Sequence, residues 1–459
     1  MVTVVLWRAL RDSLWRAWSL RHSPRRWAPA LALCAAGISM HAQGQTAPAS
    51  EQALSFEHAL RLAQDRSRLL AAQDAAVSAA REMAVAAGQR PDPTLKAGIN
   101  NLPIDGVDRF SLTRDFMTMR SLGVMQEFTR EDKRKARAAR FEREADAAAA
   151  GRSVTLANLR RDTATAWLER RYQERMREVL QAQRAEAALQ IEAADAAYRG
   201  GRGSQADVFA ARSAVAQIDD RLRQTERQIA TAATRLARWV GPDAEQALGT
   251  PPGLGSVRLD TTSLEAQLEH HPEIALMLKQ EAVARAEADI AQSNKRSDWS
   301  VELMFSQRGS AYSNMVSLNV SIPLQLDPKN RQDREVSARL AAAEQLRAQR
   351  EETVREHIAE ARSWVQQWQS NAQRLAHYDS ALIPLSAERT RAALAAYRGG
   401  GATLSAVLEA RRVEIDMRIE RLRIEMENAG LWAQLEYLIP VEHAVAAADR
   451  PAAIKEQPQ

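Results

Sequence analysis

The chain has 459 residues, with only 19 glycines and 16 prolines, and this composition is typical of long helices. The formal net charge is +5, but residues 1–42 hold six arginines and one acidic residue, and the basic and acidic residues of the remaining chain balance. A balanced chain lacks the excess of basic residues that binds nucleic acid, so composition excludes that class of partner.

Residues 1–42 have the features of a secretory signal peptide. A pair of arginines precedes an apolar run from Trp27 to Met40, and Ala42 follows as a small residue for cleavage. The run is too short and too interrupted to span a membrane; an ordinary N-terminal helix is the alternative. Cys34, the only cysteine, resembles a lipoprotein site, but Leu33 is bulky for the residue before a modified cysteine, so lipidation stays open.

The first half of the remaining chain predicts helices around a pair of short strands. In chain order these are a helix at 53–90, strands at 95–100 and 121–128, a helix from Lys133 to Tyr198 and a helix from Ser204 to Val240. Only Gly151 would weaken the long helix, which would measure about 100 Å. The two shorter helices together match it in length, so we expect them to stack end to end beside it.

The same order returns in the second half, after a Gly- and Pro-rich joint at 241–260. It predicts a helical region at 264–294 interrupted at Pro272, strands at 299–306 and 316–322, a helix at 331–397 and a helix at 403–438. A unit used twice in matching surroundings predicts two structural repeats, at 43–240 and 261–439. The tail at 440–459 is expected to be disordered.

The four strands are amphipathic, with apolar residues at every second position. Four strands cannot close a barrel, and an open sheet leaves unpaired edges that lipid cannot satisfy. The pattern therefore fits a membrane barrel only if several chains contribute, and three chains would supply 12 strands. The alternative is a soluble four-stranded sheet with one face on a core.

One pentapeptide occurs twice, at Ala197–Gly201 and again, letter for letter, at Ala396–Gly400. Paired glycines are expected to adopt left-handed backbone angles, end one helix and let the chain reverse, so each copy predicts the tip of a helical hairpin. The candidate docking or gating residues of the two tips are Tyr198, Arg199, Gly200, Gly201, Asp207, Tyr397, Arg398, Gly399 and Gly400. The alternative is plain helix termination, with arginine complementing the helix dipole and tyrosine packing on a neighbour.

Together, the leader, the duplicated half, the strand pairs and the tips resemble the outer-membrane efflux factors of the TolC family. Each tip resembles the family's Tyr-Arg-x-Gly hairpin turn, although the second has Ala406 where the first has Asp207. Further motifs resemble the heavy-metal branch, of the CzcC and CusC type. They are Asp92-Pro93-Thr94-Leu95, Asn101-Leu102-Pro103, and Ser121–Phe128 followed by Lys133-Arg134.

This resemblance implies a mainly α fold with a small β part: a homotrimer with a 12-strand barrel in outer-membrane lipid and a helical barrel across the periplasm of a Gram-negative bacterium. The tips would dock on a periplasmic adaptor protein that joins an inner-membrane pump of the resistance–nodulation–division (RND) type. The function implied is a passive exit duct for heavy-metal cations. Alternatives are a duct for drugs or for type I secretion, and a periplasmic coiled-coil scaffold without a pore.

We find no catalytic constellation in the sequence and expect no enzyme activity, cofactor or metal site. The eight histidines show no ligand spacing with a carboxylate or cysteine. His270 and His271 precede Pro272 at an expected helix boundary, so we expect them to form a solvated turn.

Overall fold

A computed structural model gives the structure of residues 53–260 and 263–440. The predicted signal peptide, Cys34 and all but the first residue of the predicted tail lie outside these ranges. The described elements, in chain order, are α1 (Phe56–Arg66), α2 (Arg68–Gly88), β1 (Thr94–Asn100), β2 (Met119–Phe128), α3 (Glu131–Arg199), α4 (Gln205–Val240), α5 (Leu264–Leu268), α6 (Pro272–Ser293), β3 (Trp299–Gln307), β4 (Met315–Ser321), α7 (Gln332–His377), α8 (Ile383–Arg398) and α9 (Leu404–Glu436). None of the helices in these ranges combines the length and the apolar character needed to cross a membrane.

The single helix expected at 53–90 is wrong, because the chain breaks at Ser67 into α1 and α2. The Ser67 N–H donates to the Gln64 carbonyl (3.2 Å), which ends α1. The Ser67 hydroxyl accepts from the Leu70 N–H (3.3 Å), which starts α2. Serine is among the best residues for starting a helix, so one side chain stabilises the break.

Helix α3 is continuous over 69 residues and runs straight through Gly151. At a rise of about 1.5 Å per residue it is about 100 Å long. Helix α2 packs on its first part, where Arg152 lies 2.7 Å from Asp74. Helix α4 packs on its last part, where Arg235 lies 2.7 Å from Glu169. The predicted stacking of two shorter helices along one long helix is therefore present in the structure.

The long helix expected at 331–397 is interrupted by a π-helical segment, Tyr378–Leu382, between α7 and α8. Pro384 lies just after this segment. Proline has no N–H to donate and its ring collides with the carbonyl four residues earlier, here Ser380, so regular α-helical bonding cannot continue past it. The segment is fixed from outside, because Arg421 Nε on α9 donates to Asp379 Oδ1 (2.6 Å).

The Gly- and Pro-rich joint at 241–260 packs against the hydrophobic core through several of its apolar residues. Leu248 forms a parallel bridge with Leu54, both in one hydrophobic cluster with Trp167 and Trp432. The Trp167 indole N–H donates to the Leu54 carbonyl (3.1 Å), and the Trp432 indole N–H donates to the Ser256 carbonyl (2.9 Å). These two buried indoles thus have hydrogen-bond partners, and the Trp432 bond fixes the joint itself.

The four strands form one antiparallel sheet in the order β1-β2-β3-β4. The register aligns apolar residues across all four strands. One row is Leu95, Val124, Leu303 and Leu318, and the next is Ala97, Leu122, Phe305 and Val316. The alternation that predicted the strands therefore places their apolar positions on a single face, called the apolar face below.

Candidate functional site: the sheet and the hairpin tips

The apolar face of the sheet is exposed. Leu95 is 69% exposed, Val316 is 70% exposed and Leu318 is 67% exposed. Six further apolar side chains of this face are also exposed; they are Ile99, Leu122, Val124, Leu303, Phe305 and Val320. Monomeric soluble proteins rarely expose an apolar patch that is continuous over a whole sheet. This face therefore requires an apolar environment outside the chain.

The opposite face of the sheet is mainly polar, although it also carries Met119, Met125, Met304 and Met315. Lys96 on β1 reaches across β2 to Glu302 on β3, with Nζ 2.9 Å from Oε2. Gly123 lies on the strand between them, and a Cβ atom there would be 2.9 Å from the Leu303 carbonyl oxygen. Because Gly123 has no side chain, β2 and β3 approach closely and the ion pair passes over β2.

The two strand pairs are tied together at one end of the sheet. The loop after β1 spans residues 101–118 and the loop after β3 spans residues 308–314. Arg308 Nη1 donates to the Phe116 carbonyl (3.2 Å), and Arg308 Nε donates to the Ser313 carbonyl (3.0 Å). One arginine from the second half thus holds both loops.

At the other end, the sheet is tied to the helices by an ion pair with little exposure. Lys133 Nζ near the start of α3 lies 2.7 Å from Asp298 Oδ2, just before β3. The Arg130 N–H also donates to Asp298 (3.0 Å). Burial by itself would raise the pKa of Asp298, but the hydrogen bonds from Lys133 and Arg130 outweigh it and hold that pKa below its ordinary value. Asp298 is therefore a carboxylate at neutral pH and fixes the helix–sheet junction.

Both hairpin tips use one left-handed glycine, and not two as expected. Gly201 has φ of +68° and Gly400 has φ of +77°. The preceding residues, Gly200 and Gly399, both have φ of −81°. The expectation of paired left-handed glycines is therefore wrong for the first glycine of each pair. A negative φ is open to any residue, so only Gly201 and Gly400 need to be glycine on this ground.

The hydrogen bonds of the two tips are the same. The Arg202 N–H donates to the Ala197 carbonyl (2.9 Å), and the Gly401 N–H donates to the Ala396 carbonyl (2.8 Å). Such bonds, which reach back five residues, end helices in the Schellman motif. The repeated pentapeptide thus forms the same turn twice.

The side chains of the first tip are engaged within the chain to different degrees. Tyr198 is 46% exposed. Arg199 lies 2.7 Å from Asp195, one helical turn earlier. Asp207 accepts from the Ser204 hydroxyl (2.7 Å) and the Ser204 N–H (3.0 Å), which completes a capping box and lowers the pKa of Asp207. Within one chain, Asp207 therefore caps α4.

The second tip packs against the first. Val208 and Ala211 of α4 share a hydrophobic cluster with Leu404 and Val407 of α9, and Tyr397 packs on it. Arg398 is exposed. The two tips of one chain therefore present a joined surface on which Tyr198, Arg199 and Arg398 are accessible.

Several solved structures are similar to this chain over most of its length. VceC, an outer-membrane protein from Vibrio cholerae, is 19% identical with a TM-score of 0.69, over 83% of this chain and 95% of VceC. The CmeC outer-membrane channel from Campylobacter jejuni is 11% identical with a TM-score of 0.68, over 91% of this chain and 97% of CmeC. CusC is 14% identical with a TM-score of 0.66, over 85% of this chain and 93% of CusC. The chain has the fold of the outer-membrane channels. No protein-family model and no curated protein matches the sequence.

The channel fold confirms the predicted fold class, long helices with four strands per chain. Within this fold, α3 separates the sheet from the first tip by about 100 Å. The sequence indicated the tip residues and included Gly123 and Lys133 in motifs, but the motifs gave no sign of the Lys133–Asp298 ion pair or of the close strand approach at Gly123. An isolated glycine within an alternating strand pattern signals a close approach of backbones, so Gly123 could have been found.

The expectation that His270 and His271 form a solvated turn is wrong for His271. His271 does not lie in a solvated turn, because it is part-buried and its Nδ1 accepts from the Glu273 N–H (3.3 Å) at the start of α6. Its ring lies 4.3 Å from the ring of His357 on α7. His357 is 86 residues further along the chain, so local spacing could not reveal this contact. His270 is exposed, as expected.

Proposed function

We propose that this chain forms the outer-membrane exit duct of a tripartite efflux system, a passive channel and not an enzyme. The observation that carries the proposal is the exposed apolar face on a sheet that continues into α3, a helix about 100 Å long. The similarity to the CmeC outer-membrane channel and to VceC, an outer-membrane protein, supports it.

The edges of the sheet favour a homotrimer. Within the described part of the chain, β1 and β4 each have a strand on one side only. An open strand edge is not tolerated in lipid, since its backbone N–H and C=O groups would have no partner. If β1 of one copy pairs with β4 of the next, three copies close a ring of 12 strands, within the range of bacterial barrels. The apolar face would then meet lipid and the polar face would line the pore.

The helices and tips fit the periplasmic part of such a duct in a Gram-negative bacterium. We propose that residues 1–42 direct export, that the repeats at 43–240 and 261–439 are joined by 241–260, and that the tips dock on an adaptor linked to an inner-membrane RND pump. The exposed side chains of Tyr198, Arg199 and Arg398 support a docking role.

Heavy-metal cations are the proposed cargo. Support comes from the motifs at Asp92–Leu95 and Asn101–Pro103, at the two ends of β1, which resemble the heavy-metal branch. Growth of a deletion strain on zinc, cadmium, cobalt, copper and silver, beside a panel of drugs, tests this choice. Sensitivity to metals alone supports it, and sensitivity to drugs alone assigns the duct to drug export.

The membrane role of the sheet is tested by two neighbouring substitutions on β4. Leu318→Arg puts a charge on the apolar face, which costs about 2–4 kcal/mol near the middle of a bilayer. Asn319→Arg puts the same charge on the polar face. We expect Leu318→Arg to be lost from the outer-membrane fraction while Asn319→Arg is retained. Equal retention of both variants would contradict a lipid-facing apolar face.

The gating role of the tips is tested by Arg398→Glu, with antibiotic leakage and adaptor binding as the two measurements. Arg391→Glu is the matched control, because Arg391 is exposed on the same helix about two turns before the tip. We expect Arg398→Glu to change at least one measurement while the control changes neither. If both variants behave like the parent chain, Arg398 has no gating or docking role.

A further inference from the structure

A cluster of potential metal ligands lies where α6 starts beside α7, apart from both the sheet and the tips. His271 and Glu273 come from the start of α6, and His357 comes from α7. A cavity of about 280 Å³ is lined by these three residues, by Arg161 of α3 and by Gln434 of α9. Residues from four helices that are far apart in sequence thus meet at this site.

The three side chains converge closely. One ligand atom from each of His271, Glu273 and His357 lies within 4.8 Å of the other two. His357 Nε2 lies 3.2 Å from Glu273 Oε2. In a tetrahedral zinc site, ligand atoms about 2.0–2.1 Å from the ion are about 3.4 Å from each other. The His357–Glu273 distance already matches this spacing.

We propose that His271, Glu273 and His357 bind one divalent transition-metal ion of the zinc type. Two imidazole nitrogens and one carboxylate oxygen form a ligand set that such ions accept, with a fourth position left to water. In the described ranges, no other group of three or more His, Cys, Asp or Glu side chains comes together in this way.

The surroundings favour a bound cation. Arg161 also lines the cavity. Arg161 is itself paired with Asp162 at 2.8 Å. Glu360 Oε2 lies 3.6 Å from His357 Nδ1, which places a second carboxylate beside the site. Glu273 and Glu360 supply two negative charges to offset the ion.

Binding costs two hydrogen bonds, the one between His357 Nε2 and Glu273 Oε2 (3.2 Å) and the helix cap at His271. His271 Nδ1 accepts from the Glu273 N–H at 3.3 Å, so the proton of its neutral ring lies on Nε2. Coordination through Nε2 moves that proton to Nδ1, and coordination through Nδ1 uses the same lone pair as the cap. Either way the cap is lost, and the ion replaces it by joining the start of α6 directly to α7.

The proposal is tested by zinc titration of the purified full chain in detergent, after removal of metals with a chelator. We expect calorimetry to show one zinc ion per chain and His357→Gln to weaken binding at least tenfold. His377→Gln is the matched control, because His377 is exposed at the end of the same helix. Zinc should raise the Tm of the parent chain and of the control, but not of His357→Gln.

Failure of the parent chain to bind zinc, or equal binding by His357→Gln, would overturn the proposal. If circular dichroism shows that His357→Gln does not fold, zinc X-ray absorption of the loaded parent chain decides instead. A coordination shell with two imidazoles supports the site, and a shell without imidazole refutes it. Neither result bears on the channel proposal, whose test uses the sheet.

Discussion

Lys133 Nζ lies 2.7 Å from Asp298 Oδ2 and joins the first half of the chain to the second across 165 residues. Lys133 is 8% exposed and Asp298 is 16% exposed at the side chain. Next to this pair, the rings of Phe128 and Trp299 stack at 4.4 Å. The last residue of β2 and the first of β3 are thus held together where the helices meet the sheet.

We expect Lys133→Met to lower the free energy of unfolding by about 2 kcal/mol, because it leaves the Asp298 carboxylate partly buried without its cation. Urea unfolding, followed by circular dichroism, measures this loss. Lys135→Met is the matched control, since Lys135 pairs with Glu131 on the exposed side of the same helix. An equal loss in both variants would assign the effect to helix propensity and not to the buried pair.

The same pair predicts a dependence on pH. The pKa of Asp298 is held below its ordinary value of 3.8, so its contribution to stability is complete above that value and is lost as pH falls below it. The difference in unfolding free energy between the parent chain and Asp298→Asn should be constant from pH 7 to pH 5 and should shrink below about pH 4. A constant difference down to pH 2 would show that folding does not lower the pKa of Asp298.

Gly123 should tolerate no side chain. A Cβ atom at this position would lie 2.9 Å from the Leu303 carbonyl oxygen, so Gly123→Val should force β2 away from β3 and cost about 1–3 kcal/mol. Gly98 is the matched control on the polar face of β1, since a Cβ atom there would meet nothing closer than 3.7 Å. Incorporation into lipid vesicles should fall for Gly123→Val and stay unchanged for Gly98→Val. Equal incorporation would show that the sheet can separate without loss.

The strands and tips were predictable because their signals are local. Alternation with a period of two identified all four strands, and a repeated pentapeptide located both turns. The hydrogen bond that closes each turn spans only five residues, as from Arg202 to Ala197. One short segment of sequence therefore determines the conformation of each tip.

Features that join distant parts of the chain could not be predicted in the same way. Two examples are the bridge between Leu54 and Leu248 and the contact between His271 and His357. Both depend on how helices pack, and no periodicity in the local sequence indicates them. The π-helical segment before Pro384 is an intermediate case. A proline within a helical pattern predicts a disturbance, but the pattern does not reveal that Arg421 on α9 binds this segment through Asp379.

The glycines of the second tip should differ in what they tolerate. Gly400→Ala should cost about 1 kcal/mol, because φ of +77° is unfavourable for a residue with a Cβ atom. Gly399→Ala is the control, since φ there is −81° and the nearest atom to its Cβ would be 3.5 Å away. Urea unfolding of both variants measures the contrast. If Gly399→Ala destabilises as much as Gly400→Ala, backbone angle does not decide the choice of glycine.

The two tips differ in helix capping, and this difference can be engineered. At the first tip, Asp207 and Ser204 exchange two hydrogen bonds. At the second, Thr403 accepts from the Ala406 N–H (3.4 Å), but alanine returns no hydrogen bond. Asp207→Ala should therefore cost about 1 kcal/mol, and Ala406→Asp should add about 0.5–1 kcal/mol to the free energy of unfolding.

The control for Ala406→Asp is Ser405→Asp, one residue earlier in α9. Both substitutions place a negative charge in the first turn, where it interacts favourably with the helix dipole. Only residue 406 lies three positions after Thr403 and can complete a capping box. We therefore expect the larger gain from Ala406→Asp. Equal gains would mean that charge at the helix start, and not the reciprocal hydrogen bond, explains the acidic residue of the first tip.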